Sequence, residues 1–457
     1  MRYNLVILFF GLVGSLYSDS QRSELQTVLA RLKQMEKNHQ ELFQKMKEDM
    51  AGLSKKVIQL EQENKKMKNV LHPKAKANLD GKFVVKSTDG KHKFKIGGRL
   101  MNDWSFFSGT PGITTKTGNG FSNRTGFRRA RIHLSGNSYG NTGFKIQYDF
   151  AKNGEVSLKE TYLHKKLDNG DSFWVGHVKE PTGLENSTSS NHFHFMERSL
   201  LNSFYPDYNT GFGYEKNGER SPLYYKLGVF HDTDLDGRSS PKTGIGADVD
   251  GAYNYTGRMV WLPKFNRDTN DLLHVGATYS FRNSNHTNIR FKSTPESNLW
   301  ANSFVDSGNI LAEHTILRGL EFAMTKNNLS IHSEFMQARV KMLNSNPIFQ
   351  GWYLSAGWML TKEARTYLKG KRKFGRIIPN KNYSDGGKGA WEIAGRVSHV
   401  DLSEPEFNIR GGILDNYTLG LNWYMNPSVR IMLNHVWSEL ESQGQAKSLN
   451  LRFQMDF

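Results

Sequence analysis

From residue 82 to its end the chain reads as short runs in which every second residue is apolar. The closing nine residues, LNLRFQMDF, place Leu449, Leu451, Phe453, Met455 and Phe457 at alternate positions, with Asn450, Arg452, Gln454 and Asp456 between them. A period of two is the strand period, because successive side chains point to opposite faces of a sheet. The same alternation recurs in KFKIGGRLMNDWSFF, RRARIHLSGNS, FKIQYDFA, LHVGATYSFR, WEIAGRVSHV, YTLGLNWYM and VRIMLNHVW, with turn signals such as KNG and NPS between runs. At roughly 24 residues per strand and half its connections, the segment holds on the order of 16 strands. Two packed sheets satisfy this pattern, and so does a barrel whose apolar face meets lipid.

The first 81 residues follow different rules. MRYNLVILFFGLVGSLYS has a basic start, an apolar run and a small, polar finish, which is the layout of a secretory signal peptide over residues 1–18. The run is too short for a membrane anchor, which needs about 20 apolar residues. Residues 19–72 carry a seven-residue repeat through Leu25, Leu32, Met46, Leu53, Leu60 and Met67, broken only at His39. Val28, Met35 and Leu42 complete the seam in the first half, and Met50, Val57, Asn64 and Leu71 in the second, so the spacing slips by four near Met46. This predicts a coiled coil with a stutter and a polar core residue, Asn64, fixing register; the alternative is a single amphipathic helix lying on the periplasmic side. Residues 73–81 read as a linker, leaving 82–457 as the β domain.

Composition sharpens the choice. The chain holds 28 Phe, 18 Tyr, 9 Trp and 43 Gly, yet its mean hydropathy is -0.61. Aromatic richness with a polar average fits a transmembrane barrel, whose alternation hides the lipid face from averaging, and also fits a large soluble β protein. No cysteine is present, which excludes a lipid-anchored cysteine, a disulfide framework and thiol chemistry. The formal net charge is +17, most of it on the β domain, and favours anionic partners: small anions, lipopolysaccharide or nucleic acid.

The stretches KFKIGGRLMNDWSFF, FRRARIHLSG, VGHVKEPTGLENSTSSNHFHFMERSL, RFKSTPES, GAWEIAGRVSHVDL and LGLNWYMNPSVRIMLNHV occur in this order. They resemble the phosphate-selective porin family, the O and P porins of Gram-negative outer membranes, over residues 81–457. The resemblance implies a sixteen-stranded homotrimeric barrel with short periplasmic turns, an inward-folded loop and a ladder of basic side chains that pass phosphate and related anions. It also implies that the terminal Phe457 is read by the insertion machinery. An outer-membrane barrel lies among lipid and lipopolysaccharide, and its coiled coil is expected in the periplasm, where peptidoglycan is the partner that the tether alternative gives it. Neither a cofactor, a metal nor nucleic acid is implied.

The chemistry of such a pore can be reasoned from residue types. A pore selecting a hydrated oxyanion must replace water with fixed donors; arginine offers a fork that matches two oxygens, and lysine a point charge. In FRRARIHL, alternation puts Arg129 and Arg131 on the polar, lumen face with His133; Arg128 has the opposite parity, although the family's paired arginines match this RR. These arginines either hold the anion or hold the inward loop through acidic residues. TSSNHFHFMER is the expected constriction loop, where Ser189, Ser190 and Arg198 match the family's anion contacts. Asn186 stands where phosphate-selective members carry lysine. Glu160, in LKETY, matches an acidic residue near the site and is alternatively an ion-pair partner of Arg128 or Arg129. In NIRFKSTPES, Arg290 and Lys292 keep the basic ladder, but Thr294 and Asn298 interrupt it.

Enzyme-like motifs carry little. GNSYG fits a nucleophile elbow, but here a strand runs into a hairpin rather than a helix. DTDLDG opens like a calcium loop, yet its twelfth position is Thr243 rather than Glu. His192 and His194 lack a third metal ligand nearby. The expectation is therefore an outer-membrane porin for small anions, phosphate or polyphosphate, and not an enzyme. A weakly selective general porin and a structural envelope tether acting through the coiled coil are the alternatives.

Overall fold

The computed structural model describes residues 30, 34–35, 43–58, 75–78, 83–87, 89–118, 120–152, 154–239 and 252–457. It divides into two units, 1–73 and 74–457. In the first unit, residues 43–58 are helical, with Met46, Met50, Leu53 and Val57 forming a stripe that stays half-exposed to exposed. The signal segment 1–18 and most of the expected coiled coil lie outside the described residues. What is described is one short helix.

The second unit is a closed antiparallel barrel of sixteen strands. They are β1 His92–Gly109, β2 Arg124–Ser138, β3 Thr142–Lys152, β4 in two segments Glu155–Leu158 and Thr161–Lys166, β5 Ser172–Lys179, β6 Tyr208–Glu215, β7 Leu223–His231 and β8 Asn254–Asn266. The second half comprises β9 Asp271–Ile289, β10 Ile310–Lys326, β11 Leu329–Lys341, β12 Ile348–Met359, β13 Ala390–Glu404, β14 Ile409–Tyr424, β15 Val429–Leu440 and β16 Gly444–Asp456. Each strand pairs with its sequence neighbours, and β16 returns to β1 with Arg452 opposite Asp103. Closure leaves the sixteen barrel strands paired on both sides. Beyond the seam, Phe457 exchanges both backbone hydrogen bonds with Gly98, at 2.9 and 3.2 Å. Within the expected linker, Ala75–Asn78 forms a short strand on Phe83–Ser87, which in turn pairs with the first residues of β1.

Alternation works as a lipid-facing barrel requires. Along β16, Asn450, Arg452, Gln454 and Asp456 are buried toward the lumen, while Leu449, Leu451, Phe453 and Met455 face out. Part of the lumen is filled by the protein itself. The β5–β6 link, residues 180–207, folds inward, and its Leu200, Leu201 and Phe204 pack with Phe291, Phe304, Phe349, Tyr353 and Val400 into an apolar core against the β9–β16 wall. Full burial of side chains this size contributes about 1.5–3 kcal/mol each, enough to hold a loop in place. This core leaves most of β1–β7 uncovered.

Most links at the rim carrying Gly98 and Phe457 are short: 139–141, 167–171, 216–222, 267–270, 327–328 and 425–428. The β12–β13 link, residues 360–389, departs from the expected short turns. It sits at this same rim, where Tyr383 N–H donates to the Met425 carbonyl and Arg376 to Asp456. Arg365 from this link reaches His194 on the inward loop. Strand periodicity cannot foresee a long link, because it registers only paired segments.

Candidate functional site

The inward loop is built to be rigid. Leaving β5 at Lys179, the chain turns at Gly183, which has φ 61°, into the short helix Leu184–Ser187. A Cβ at Gly183 would stand 2.5 Å from the Glu334 carboxylate. That carboxylate accepts the helix's first free N–H groups, Leu184 at 2.8 Å and Glu185 at 2.7 Å. Wall and link arginines then donate to loop carbonyls: Arg430 to Phe193, Arg452 to Met196, Arg396 to Glu197 and Arg365 to His192. His194 is fixed by Glu392 at 2.7 Å. Burial, followed by the guanidiniums of Arg376, Arg430 and Arg365, pushes the His192 pKa down to about 3, so this histidine adds no positive charge to the passage at neutral pH.

Among the expected site residues, the structure brings most, but not all, to one region. A β-bulge opposite Met101 and Asn102 adds a residue to β2, so that Arg128 and Arg129 both turn to the lumen despite their opposite parity. Arg128 holds Glu197 of the loop in a fork, at 2.7 and 2.9 Å, and Arg129 lies 4.0 Å from the same carboxylate and 3.4 Å from Met101 Sδ. Although burial alone would raise it, Arg128, Arg452 and Arg129 hold the Glu197 pKa below the usual carboxylate range. Arg131 bonds Asp149 at 2.7 Å and the Tyr208 hydroxyl at 3.5 Å. Glu160 pairs with Lys145, not with Arg128 or Arg129. Arg290 forks onto Asp306, and Lys292 is exposed; among the described residues neither is hydrogen-bonded or ion-paired to 180–207.

Ser189 and the buried Ser190 lie against β1, where Arg99 Nη1 donates to Ser190 Oγ at 2.9 Å and lies 3.4 Å from Ser189 Oγ. Among the described residues Arg198 has no carboxylate partner; it lies over the Phe193 ring, 4.8 Å from its centroid, and 3.4 Å from the Glu185 carbonyl. Across the passage, the Tyr208 ring carries two ammoniums, Lys159 at 4.9 Å and Lys179 at 5.5 Å, and stacks on His177. Lys179 Nζ donates to Asn186 Oδ1 at 3.0 Å. Arg99, Lys159, Lys179 and Tyr208 were not foreseen from sequence. Alternation could have placed Arg99 and Lys179 in the lumen, but not beside a loop about 90 residues distant in sequence from Arg99.

Toward the terminal rim a second basic group appears. Lys145, Lys226, Lys371 and Lys373 surround Glu160 and Glu215, with Lys371 at 2.9 Å and Lys226 at 3.8 Å from Glu215. The KGKRK run at 369–373 was visible as charge, but its position in the lumen comes from the long link.

The remaining motifs do not assemble. Ser138 of GNSYG ends β2, which passes into the 139–141 turn rather than into a helix. In DTDLDG, Asp234 caps the N–H groups of Asp236 and Arg238, and Asp232 is held by Arg282 and Asn254.

A closed sixteen-stranded barrel, polar inside and apolar outside, with a pinned inward loop, defines a porin-type channel. The family model described as phosphate-selective porin O and P matches residues 94–457, and the chain belongs to that family. Porin O of Pseudomonas aeruginosa is 26% identical over 392 residues, 78% of this chain and 85% of that protein. An uncharacterized protein of Caulobacter vibrioides is 25% identical over 356 residues, 76% of this chain and 69% of that one. Two solved barrels share the fold at 10% identity and a TM-score of 0.50. The loop-deleted OmpT of Vibrio cholerae aligns over 80% of this chain and 100% of its own, and the DcaP channel of Acinetobacter baumannii over 81% and 99%. Fold and family make the protein an outer-membrane porin and point to a channel rather than an enzyme.

Proposed function

We propose that the protein passes small anions by passive diffusion, phosphate or polyphosphate among them, along the β1–β7 side of the lumen. The observation that carries this is the facing of two hydroxyls, Ser189 and Ser190, and the carboxylate-free Arg198 toward Arg99 and the Tyr208 platform with its two lysines. Hydroxyl, guanidinium and ammonium donors on both sides of one passage suit an oxyanion, which accepts several bonds at once. A weakly selective porin is favoured by a different observation: Arg128, Arg131 and Arg290 each have a carboxylate partner, so part of the basic ladder is already neutralised. In the native membrane we expect a homotrimer surrounded by lipid and lipopolysaccharide, with the terminal rim and the heptad segment facing the periplasm, where peptidoglycan is within reach.

Reversal potential in a potassium chloride gradient across a planar bilayer, followed by phosphate titration of the chloride current, tests the reading. Anion selectivity with a phosphate block that weakens about tenfold in Arg198→Ala is the expected result, since a bond to a charged group contributes roughly 1.5–3 kcal/mol. Cation selectivity, or no effect of phosphate, would leave the general porin or the tether.

A further inference from the structure

Lys179 differs from the other cations of the passage. As the last residue of β5 it roots the inward loop, and its ammonium reaches back over that loop. Of its three N–H donors, two are directed to Asn186, at 3.0 Å to Oδ1 and 3.4 Å to the carbonyl. Asn186 is itself fixed, because its Nδ2 donates to Thr182 Oγ1 at 2.8 Å and the residue is buried. Among the described residues no carboxylate stands within ion-pair distance of Lys179, whereas Arg128, Arg131, Lys145 and Lys226 each have one. Among the charges around it are Arg198, Arg131, Arg129 and Asp207, and the Lys159 ammonium shares the Tyr208 ring with it. Cations gathered in a partly desolvated site repel one another, and an arriving anion relieves that cost.

We propose that Lys179 is a direct ligand of the permeating oxyanion, its third N–H completing the donor set of Ser189, Ser190 and Arg198, and that Asn186 is the positioning residue that aims it. This rests on the anion reading above. A loop with an amide at 186 thus regains its ammonium from a strand residue seven positions earlier. A tetrahedral oxyanion can accept from ammonium, hydroxyl and guanidinium in separate directions, and a halide gains less from such an array. The site therefore discriminates by geometry as well as by charge.

The test uses the purified full chain in planar bilayers, with folding checked by circular dichroism. Lys179→Gln should raise the phosphate concentration that halves the chloride current roughly tenfold, the loss of one charge-assisted bond. Lys179→Arg should stay within about threefold of the parent, and Asn186→Ala, which leaves the ammonium unaimed, should weaken the block by about threefold. An unchanged block together with an unchanged chloride-to-potassium permeability ratio in Lys179→Gln would overturn the assignment. If the parent protein shows no phosphate block, the oxyanion reading fails by itself. The permeability ratio then decides Lys179: a fall in Lys179→Gln keeps it as the selecting charge, and no change removes it.

Discussion

Replacing Arg452 by Met should loosen both the barrel seam and the inward loop. The guanidinium is fully buried and makes four attachments: both oxygens of Asp103 on β1 at 2.6 Å, Glu197 at 2.7 Å and the Met196 carbonyl. Methionine fills a similar volume, so packing changes little and the effect isolates the charge. Glu197 keeps Arg128, but Asp103, 2% exposed, has among the described residues no other hydrogen-bonded or ion-paired partner of opposite charge. Breaking a buried pair by removing one partner costs about 3–5 kcal/mol, because the remaining charge stays desolvated. Asp103→Asn in the same chain should recover about 2 kcal/mol, since a neutral amide is far cheaper to leave with unmade bonds than a carboxylate. Urea unfolding in lipid vesicles, followed by tryptophan fluorescence, measures both, and single-channel recordings should show larger, noisier openings in Arg452→Met. A loss under about 1 kcal/mol, or a double variant no more stable than the single, would refute the reasoning.

Gly98→Ala should also weaken closure, because the added Cβ would stand 2.5 Å from the Phe457 ring and 2.6 Å from the Arg131 carbonyl. An overpacked contact of this kind costs about 1–3 kcal/mol, read as a lower temperature of heat-induced unfolding on a gel, and an unchanged temperature would contradict the Gly98–Phe457 packing. His192 should make the protein acid-sensitive. Its pKa falls from the ordinary 6.5 to about 3 in the folded state, so the unfolded chain takes up the proton first, and the stability present above pH 6.5 is lost as pH falls toward 3. His192→Gln should flatten the decline in urea stability between pH 7 and pH 4; an equally steep decline would assign it to other groups.

Strand alternation carried much of the fold, and it was strongest where the chain is most regular. In β16 the outward Leu449, Leu451, Phe453 and Met455 and the inward Asn450 to Asp456 follow directly from a period of two. The same rule put Arg129 and Arg131 inside but left Arg128 undecided, because a bulge inserts one residue and resets parity, leaving no mark in the pattern. Partnerships were less legible than positions. Arg452 meets Met196 across 256 residues and Asp103 across 349, and no local pattern encodes such pairs. The ladder residues Arg290 and Lys292 were read from resemblance alone, and their local setting pairs Arg290 with Asp306 sixteen residues away. Lys179 and Asn186 show a further limit: the sequence names both residues, but the 3.0 Å bond that joins them is visible only in space.

The inward loop anchors its apolar residues and most of its carbonyls on the β9–β16 wall and lays Ser189 and Ser190 beside Arg99 of β1, which separates two kinds of evolutionary risk. On the proposed reading, substitutions that retune which solute passes fall away from the main apolar core, so they can accumulate at a smaller cost to the barrel. A lineage built this way can drift from one nutrient to another through a few charge swaps, and an engineer could re-address the pore on the same terms.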